Sequence, residues 1–440
     1  MKLNYSLFII HCSFIMFLGA QPPSAPWSLN QCIQYAQEHN LAVRQSAIAQ
    51  QQSAVQLNTA LNSVWPSLQA NASQSFSFGR GISEDNTYVS SNTANTSFGI
   101  GGSLDLFTGL RVKNNIAMGK LNLAAATADL EKAKEDVEVA VIQQYVQILY
   151  NQEISRVAQA QIDIDSQQVA RLTALVDMGK ASVSQLAAQQ STLAQDRLTY
   201  TQAVNNLRMA TLEMAQLLEL PSPEGFSVEV PDVATFALQT IPTLDQIYAD
   251  ALQSKAAVQS ENIRLEYAET NIKLAKSSYY PTLSMSGGLV TDYYALLGVT
   301  GRGFGEQLKN NISPYVGLSL NVPIFDRLVT RNNVKTAQLQ YDNQRLAVER
   351  VQQNLYKEIQ QIYYATIAAH DKYESSKAAV ESAQQAFDLI QAKYESGKAT
   401  LTEFNEAKNN YLQASSNMVQ AQYEYMFQVK LVESYRGNRE

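Results

Sequence analysis

One short stretch occurs twice in the 440-residue chain, as Gly179-Lys180-Ala181-Ser182 and as Gly397-Lys398-Ala399-Thr400, 218 residues apart. Each copy interrupts a long run of helix-forming residues. Glycine ends a helix readily because it enters the left-handed cap conformation without a Cβ clash. The Ser or Thr that follows can cap the next helix through its hydroxyl oxygen. Gln185 and Glu403 stand three residues further on, at capping-box spacing. The stretch predicts a tight turn between two antiparallel helices, and its recurrence predicts a duplicated unit.

The duplication extends well beyond the turns. At the same offset Phe107 matches Phe325, Leu110 matches Leu328, Asn114-Asn115 match Asn332-Asn333, and Leu121 matches Leu339. Upstream the offset becomes 215: Leu29 matches Leu244, and Trp65-Pro66-Ser67-Leu68 matches Tyr280-Pro281-Thr282-Leu283. The expected organisation is a first structural repeat over 21–220, a linker over 221–243 and a second repeat over 244–440.

Met1-Lys2 followed by the apolar run from Leu7 to Leu18 predicts a secretory signal peptide over 1–20, with Gly19-Ala20 as its small-residue cleavage point. That apolar core is too short to span a bilayer, and no other stretch has the length a membrane helix requires. Neither Cys12 nor Cys32 follows a lipoprotein pattern, so no lipid anchor is expected. After cleavage Cys32 would stand alone, which leaves no intramolecular disulfide. A net charge of −7 provides no basic footprint, so nucleic acid is not an expected partner.

Both repeats read in the same order. A helix is expected from Ser28 to about Val64, where Pro66 stops it. The period then changes to two: Leu68, Ala70, Ala72, Phe76 and Phe78 alternate with Gln69, Asn71, Ser73, Ser75 and Ser77. After loop-like residues 79–92, Phe98, Ile100, Leu104 and Leu106 alternate in the same way, giving a β-hairpin over about 67–107. The second repeat gives a hairpin over about 282–325, with a loop at 291–311. A helix from Thr108 to Met178 would be roughly 105 Å long. Its middle carries two adjacent apolar seams, Val139-Ile142-Val146-Leu149 and Val137-Val141-Tyr145-Ile148. Together they cover an arc of about 200°, which suits a helix with a neighbour on each side. Further helices are expected at 182–218, 244–279, 326–396 and 400–436.

Strands of about ten residues with one apolar and one small-polar face suit a transmembrane β-barrel. An ordinary half-buried antiparallel sheet shows the same alternation, and on the strands alone it is the favoured reading. Four strands cannot sit in a bilayer with open edges, so the membrane reading requires several chains to close one barrel.

The order and spacing of these features carry a resemblance. With the opening Trp27-Ser28-Leu29-Asn30-Gln31-Cys32-Ile33-Gln34-Tyr35-Ala36, the strand-opening Trp65-Pro66 and Tyr280-Pro281, and the turn motif Tyr394-x-x-Gly397-x-x-Thr400-x-x-Glu403, the chain resembles the TolC-like outer membrane efflux proteins over nearly all its mature length. The resemblance implies a mainly α fold with a β-barrel part. Duplicated long antiparallel helical hairpins would form an α-helical tunnel, and four transmembrane strands per chain would close a 12-stranded barrel in a homotrimer. It implies a channel of the bacterial outer membrane that extends into the periplasm. Such a channel is the passive exit duct of a tripartite efflux pump or type I secretion system, for small molecules or exported proteins. The implied partners are a periplasmic adaptor (membrane fusion) protein, an inner-membrane pump of RND, ABC or MFS type, and outer-membrane lipid. An alternative is a non-membrane periplasmic coiled-coil structural or adaptor protein. An enzyme on a helical stalk has less to support it: His39 and His370 are isolated and no Cys/His cluster has ligand spacing, so neither catalysis nor a cofactor is expected.

The resemblance also assigns residues. Carboxylates six and nine residues after the second turn's glycine ring the family's closed aperture, and those places hold Glu403 and Glu406. At i, i+3 they share one helix face, and a ring of them would favour cations. Their alternative reading is two solvated residues near a helix N-terminus, favoured by its dipole. Tyr394 matches a tyrosine that holds the aperture shut. The basic partner expected two residues after Gly397 is replaced by Ala399, with Lys398 beside it. In the first repeat Ser184 and Gln185 take the corresponding polar places. The turns Gly179, Lys180, Ala181, Ser182 and Gly397, Lys398, Ala399, Thr400 are the implied adaptor-docking points.

Overall fold

The computed structural model describes residues 25–82, 85–231 and 240–437. The signal peptide with its cleavage point, Cys12, and residues 232–239 of the linker lie outside the described residues. In chain order the elements are α1 (Leu29–His39), α2 (Leu41–Asn62), β1 (Ser67–Ser77), β2 (Arg80–Ile82), β3 (Tyr88–Ser90), β4 (Thr93–Phe107), α3 (Arg111–Asp177) and α4 (Val183–Leu217). The second repeat follows with α5 (Leu244–Ser254), α6 (Ala256–Ser277), β5 (Thr282–Leu296), α7 (Phe304–Asn310), β6 (Ser313–Asn321), α8 (Val329–Glu395) and α9 (Leu401–Arg436).

The expected helix over 28–64 is two helices, and so is the one over 244–279. Asn40 and Lys255 interrupt them with extended backbone, ψ 133° and 120°. These residues are 215 apart, the offset of that part of the duplication. Asn40 compensates by accepting the Ala42 N–H with its side chain. Neither break contains Gly or Pro, so composition gave no sign of it. The long helices also start later than expected, at Arg111 and Val329. Gly109 and Leu110, and equally Arg327 and Leu328, take positive φ between 56° and 70°. The duplication is therefore present in the backbone dihedrals as well as in the sequence. The expected loops carry structure of their own: β2 pairs with β3 within 79–92, and α7 occupies part of 291–311.

The chain divides into two compact units. Among the described residues, the first comprises 25–39, 140–231 and 369–427, and the second comprises 40–82, 85–139, 240–368 and 428–437. In the first unit, a clip of residues holds α1 and the linker together. Trp27 forms a parallel bridge with Val228, and the Tyr145 hydroxyl donates to the carbonyls of Glu229 and Trp27 at 2.6 and 3.2 Å. The linker's first residues are thus tied down by backbone pairing. The double seam is borne out. Val137, Val141, Ile142, Tyr145, Val146, Ile148 and Leu149 are all buried, and only Val139 is half-exposed.

The second unit holds the four-stranded antiparallel sheet, in the order β1-β4-β5-β6. Its register lines up the expected faces. Ala70, Ile100, Leu289 and Pro314 stand side by side across it, as do Leu104, Met285 and Leu318. Rows such as Ser67, Ser103, Ser286 and Gly317 make the opposite face. Leu68, Phe98, Ile100, Met285, Leu289, Val316, Leu318 and Leu320 are all exposed. Among the described residues no helix is long and apolar enough to cross a membrane.

Helix packing in this unit repeats as well. Asn122 Nδ2 donates to Gln56 Oε1 at 3.2 Å, and Asn271 Nδ2 donates to Gln340 Oε1 at the same distance. Gln56 corresponds to Asn271 and Asn122 to Gln340, so the pair is kept with its two residues exchanged.

At Gly109 a Cβ would lie 2.5 Å from the Ser277 carbonyl oxygen and 2.6 Å from the Tyr280 Cβ. Positive φ adds strain for any side chain. Gly109→Ala is expected to destabilise the second unit by about 1–3 kcal/mol. Denaturant titration followed by hydrogen exchange at the strand–helix junction measures it.

Candidate functional site

Both helical turns are built as their sequence suggests. Gly179 and Gly397 have φ +68° and +72°. Lys180 N–H donates to the Leu175 carbonyl and Gly179 N–H to that of Val176, while Lys398 and Gly397 do the same to Lys393 and Tyr394. This paired closure is the Schellman motif. Each turn then opens the next helix with a capping box. The Ser182 hydroxyl accepts the Gln185 N–H at 3.2 Å, and Gln185 Oε1 accepts the Ser182 N–H at 3.2 Å. Thr400 and Glu403 repeat this, with Glu403 Oε2 accepting from Thr400 N and Oγ1 at 2.7 and 2.8 Å. Those hydrogen bonds, the backbone one first, hold the Glu403 carboxyl below its usual value.

Glu403, Glu406, Ser184 and Gln185 are exposed, as are Gly179, Lys180, Ser182, Gly397, Lys398 and Thr400. Ala181 and Ala399 are half-buried. Tyr394 differs from the others because it is packed. Its ring stacks on Phe404 with centroids 5.0 Å apart, and the Arg171 guanidinium lies 5.0 Å from its centre. Arg171 also donates to the Glu395 carbonyl at 3.0 Å. An arginine of the first helical hairpin thereby reaches the end of α8 in the second. Burial raises the Tyr394 hydroxyl, with Arg171 opposing it.

Sequence reading did not single out Arg171, nor the fully buried Lys408. For Lys408 a signal existed. It sits between Phe404 and Tyr411 at i−4 and i+3, on the inward stripe of α9. Arg171 had none, because its partner lies in the other repeat. Among the described residues no group of three or more His, Cys, Asp or Glu could hold a metal ion.

The profile of the family described as outer membrane efflux protein matches residues 32–219 and 247–431, most of both repeats. The chain belongs to this family. Its place is therefore the outer membrane and its work is efflux, and a non-membrane periplasmic role is not favoured. Outer membrane protein TolC of Escherichia coli (strain K12) is 22% identical over 418 residues, covering 93% of this chain and 82% of that protein. Cation efflux system protein CusC of the same strain is 20% identical over 339 residues, covering 76% and 71%. Among solved structures, the Campylobacter jejuni CmeC outer membrane channel superposes with a TM-score of 0.79 at 18% identity, covering 93% of this chain and 85% of that one. A structure of CusC gives 0.78 at 17% identity, covering 93% and 91%. The fold of this family member is thus shared with channels whose sequences have diverged widely.

Thr400→Ala removes the hydroxyl that caps α9. Opening of the first α9 turn is expected to become about fivefold more frequent, for a cap worth ~1 kcal/mol. Hydrogen exchange across 401–405 reads this, and the Glu403 carboxyl is expected to rise towards its ordinary value.

Proposed function

We propose that three copies of the chain close one 12-stranded barrel and that their helical hairpins form a periplasmic tunnel. The observation that carries this is the sheet. Its apolar face is exposed, and β1 and β6 each present an edge that no strand pairs among the described residues. In hydrocarbon each unpaired backbone group costs several kcal/mol, so copies of the chain must complete the ladder. The strands, 9 to 15 residues long, match the thickness of a bilayer.

In this reading the channel is the passive exit duct of a tripartite efflux pump or a type I secretion system. A periplasmic adaptor docks on the turns Gly179–Ser182 and Gly397–Thr400, and an inner-membrane pump of RND, ABC or MFS type supplies the energy. The rigid double closure of each turn supports docking, since a preorganised loop loses little entropy when a partner binds. Glu403 and Glu406 line the aperture, six carboxylates in the trimer. Their exposure on α9 supports that role. Tyr394 and Arg171 hold the ends of the two hairpins together beside it. Ser184 and Gln185 supply the uncharged part of the rim.

Glu403→Ala combined with Glu406→Ala is expected to raise single-channel conductance or weaken block by divalent cations in planar bilayers. Unchanged conductance and block would remove both residues from the pore. Because the Glu403 carboxyl is held low, its charge persists at its ordinary 4.5, where an unshifted carboxyl would be half protonated, and divalent block is expected to survive acidification to that pH. A detergent-extracted oligomer with the mass of three chains is the expected state; a monomer would refute the shared barrel.

A further inference from the structure

Lys408 and Asp165 have no exposed side-chain surface, and Asp196 keeps 20%. The Lys408 ammonium donates to Asp165 Oδ1 and Oδ2 at 2.7 and 2.9 Å and lies 3.8 Å from Asp196 Oδ2. Gln161 Nε2 donates to Asp165 Oδ2 and Asp196 Oδ2 at 3.3 and 3.1 Å. Gln189 Nε2 donates to Asp165 Oδ1 at 3.1 Å, and Asn405 Nδ2 donates to Gln189 Oε1 at 3.3 Å. Residues of α3, α4 and α9 thus meet in one network that joins the two repeats.

The network has more acceptors than donors. Two carboxylates face one ammonium, and the buried Gln161 Oε1 and Asn405 Oδ1 have no hydrogen-bond partner. An excess negative charge in such a place is unfavourable, and a bound proton cancels it. It also gives Asp196 an O–H to donate towards Asp165. Packing alone does not call for these groups. The positions 218 residues after Asp165 and Asp196 hold Ala383 and Ala414, and the position 218 before Lys408 holds Gln190.

We propose that Asp165, Asp196 and Lys408 form a proton-loaded clasp: with one proton bound it locks α9 onto α3 and α4, and loss of that proton loosens the packing. The charged groups facing Asp196 are Asp165 from α3 and Lys408 from α9, while Arg197 on its own helix is exposed. Burial first, then the hydrogen bond with Asp165, push the Asp196 carboxyl up to about 6, against the pull of Gln161 and Lys408. A raised carboxyl stabilises the closed arrangement in full below its ordinary value of 3.8, and that contribution is lost as pH rises through about 6. Lys408 follows Glu403 by five residues on α9. If the aperture reading above holds, acidification keeps the aperture segment closed.

The test is hydrogen exchange by mass spectrometry on the full mature chain in detergent, over peptides covering 401–415. Rates are corrected for intrinsic exchange at each pH. Wild-type protection is expected to fall about tenfold between pH 5 and pH 8, the change that linkage gives for this shift. Asp196→Asn, which mimics the protonated carboxyl, is expected to keep its protection at every pH. A pH-independent wild type, or an Asp196→Asn variant that falls as the wild type does, overturns the clasp. Should Asp196→Asn not fold, Lys408→Gln decides. Removing the cation must move the midpoint of the fall to higher pH, and an unchanged midpoint refutes the proposal. Exchange reads the clasp alone, whereas the conductance of the Glu403/Glu406 variant reads the aperture, so either can fail without the other.

Discussion

Backbone hydrogen bonding sets the terms for this molecule. A sheet of four antiparallel strands gives each inner strand a neighbour on both sides and, among the described residues, leaves one edge of β1 and one of β6 without a partner strand. Water would satisfy those groups at modest cost; hydrocarbon would not. The exposed row of Leu68, Ile100, Leu289, Val316, Leu318 and Leu320 removes the option of leaving the sheet in water unprotected. In the assembly proposed above the two demands have a common solution, in which neighbouring chains would complete the ladder and lipid would cover the apolar face.

The helices answer a different demand. A 67-residue helix with apolar residues spread over a broad arc has no single face to bury, so one partner cannot satisfy it. Along α3, Gln56 of α2 meets Asn122 in the second unit, and the Ala210 carbonyl of α4 accepts from Gln144 in the first. The seven buried seam residues from Val137 to Leu149 each contribute about 1.5–3 kcal/mol on burial. Against that, exposed pairs such as Lys132–Asp136 on the same helix contribute little.

The duplicated plan has been used for different ends. In the second repeat Phe387, Tyr394, Phe404 and Tyr411 form a stacked aromatic group at the end of α8 and the start of α9. The corresponding places in the first repeat are Val169, Val176, Leu186 and Leu193. Aromatic rings offer a face to a cation, and Arg171 takes it. The two hairpin ends are therefore unlike, although their turns close by the same hydrogen bonds.

By itself the sequence determined what local rules govern. The two turns, their caps, the four strands with their faces and the long helices all follow from spacings within a few residues, where propensity and periodicity act directly. The family was legible for the same reason, since its signature is an order of such local features. The breaks at Asn40 and Lys255 appeared only in the tertiary structure, because neither Gly nor Pro marks them; Asn40 alone carried a local signal, as a residue type that caps helices. Tertiary structure alone placed Arg171 on Tyr394 and drew Asp165, Asp196 and Lys408 together from three helices. Those contacts join residues between 31 and 243 positions apart. A charge's partner at such a distance is fixed by which helices pack, and helix packing is written in no single stretch of the chain.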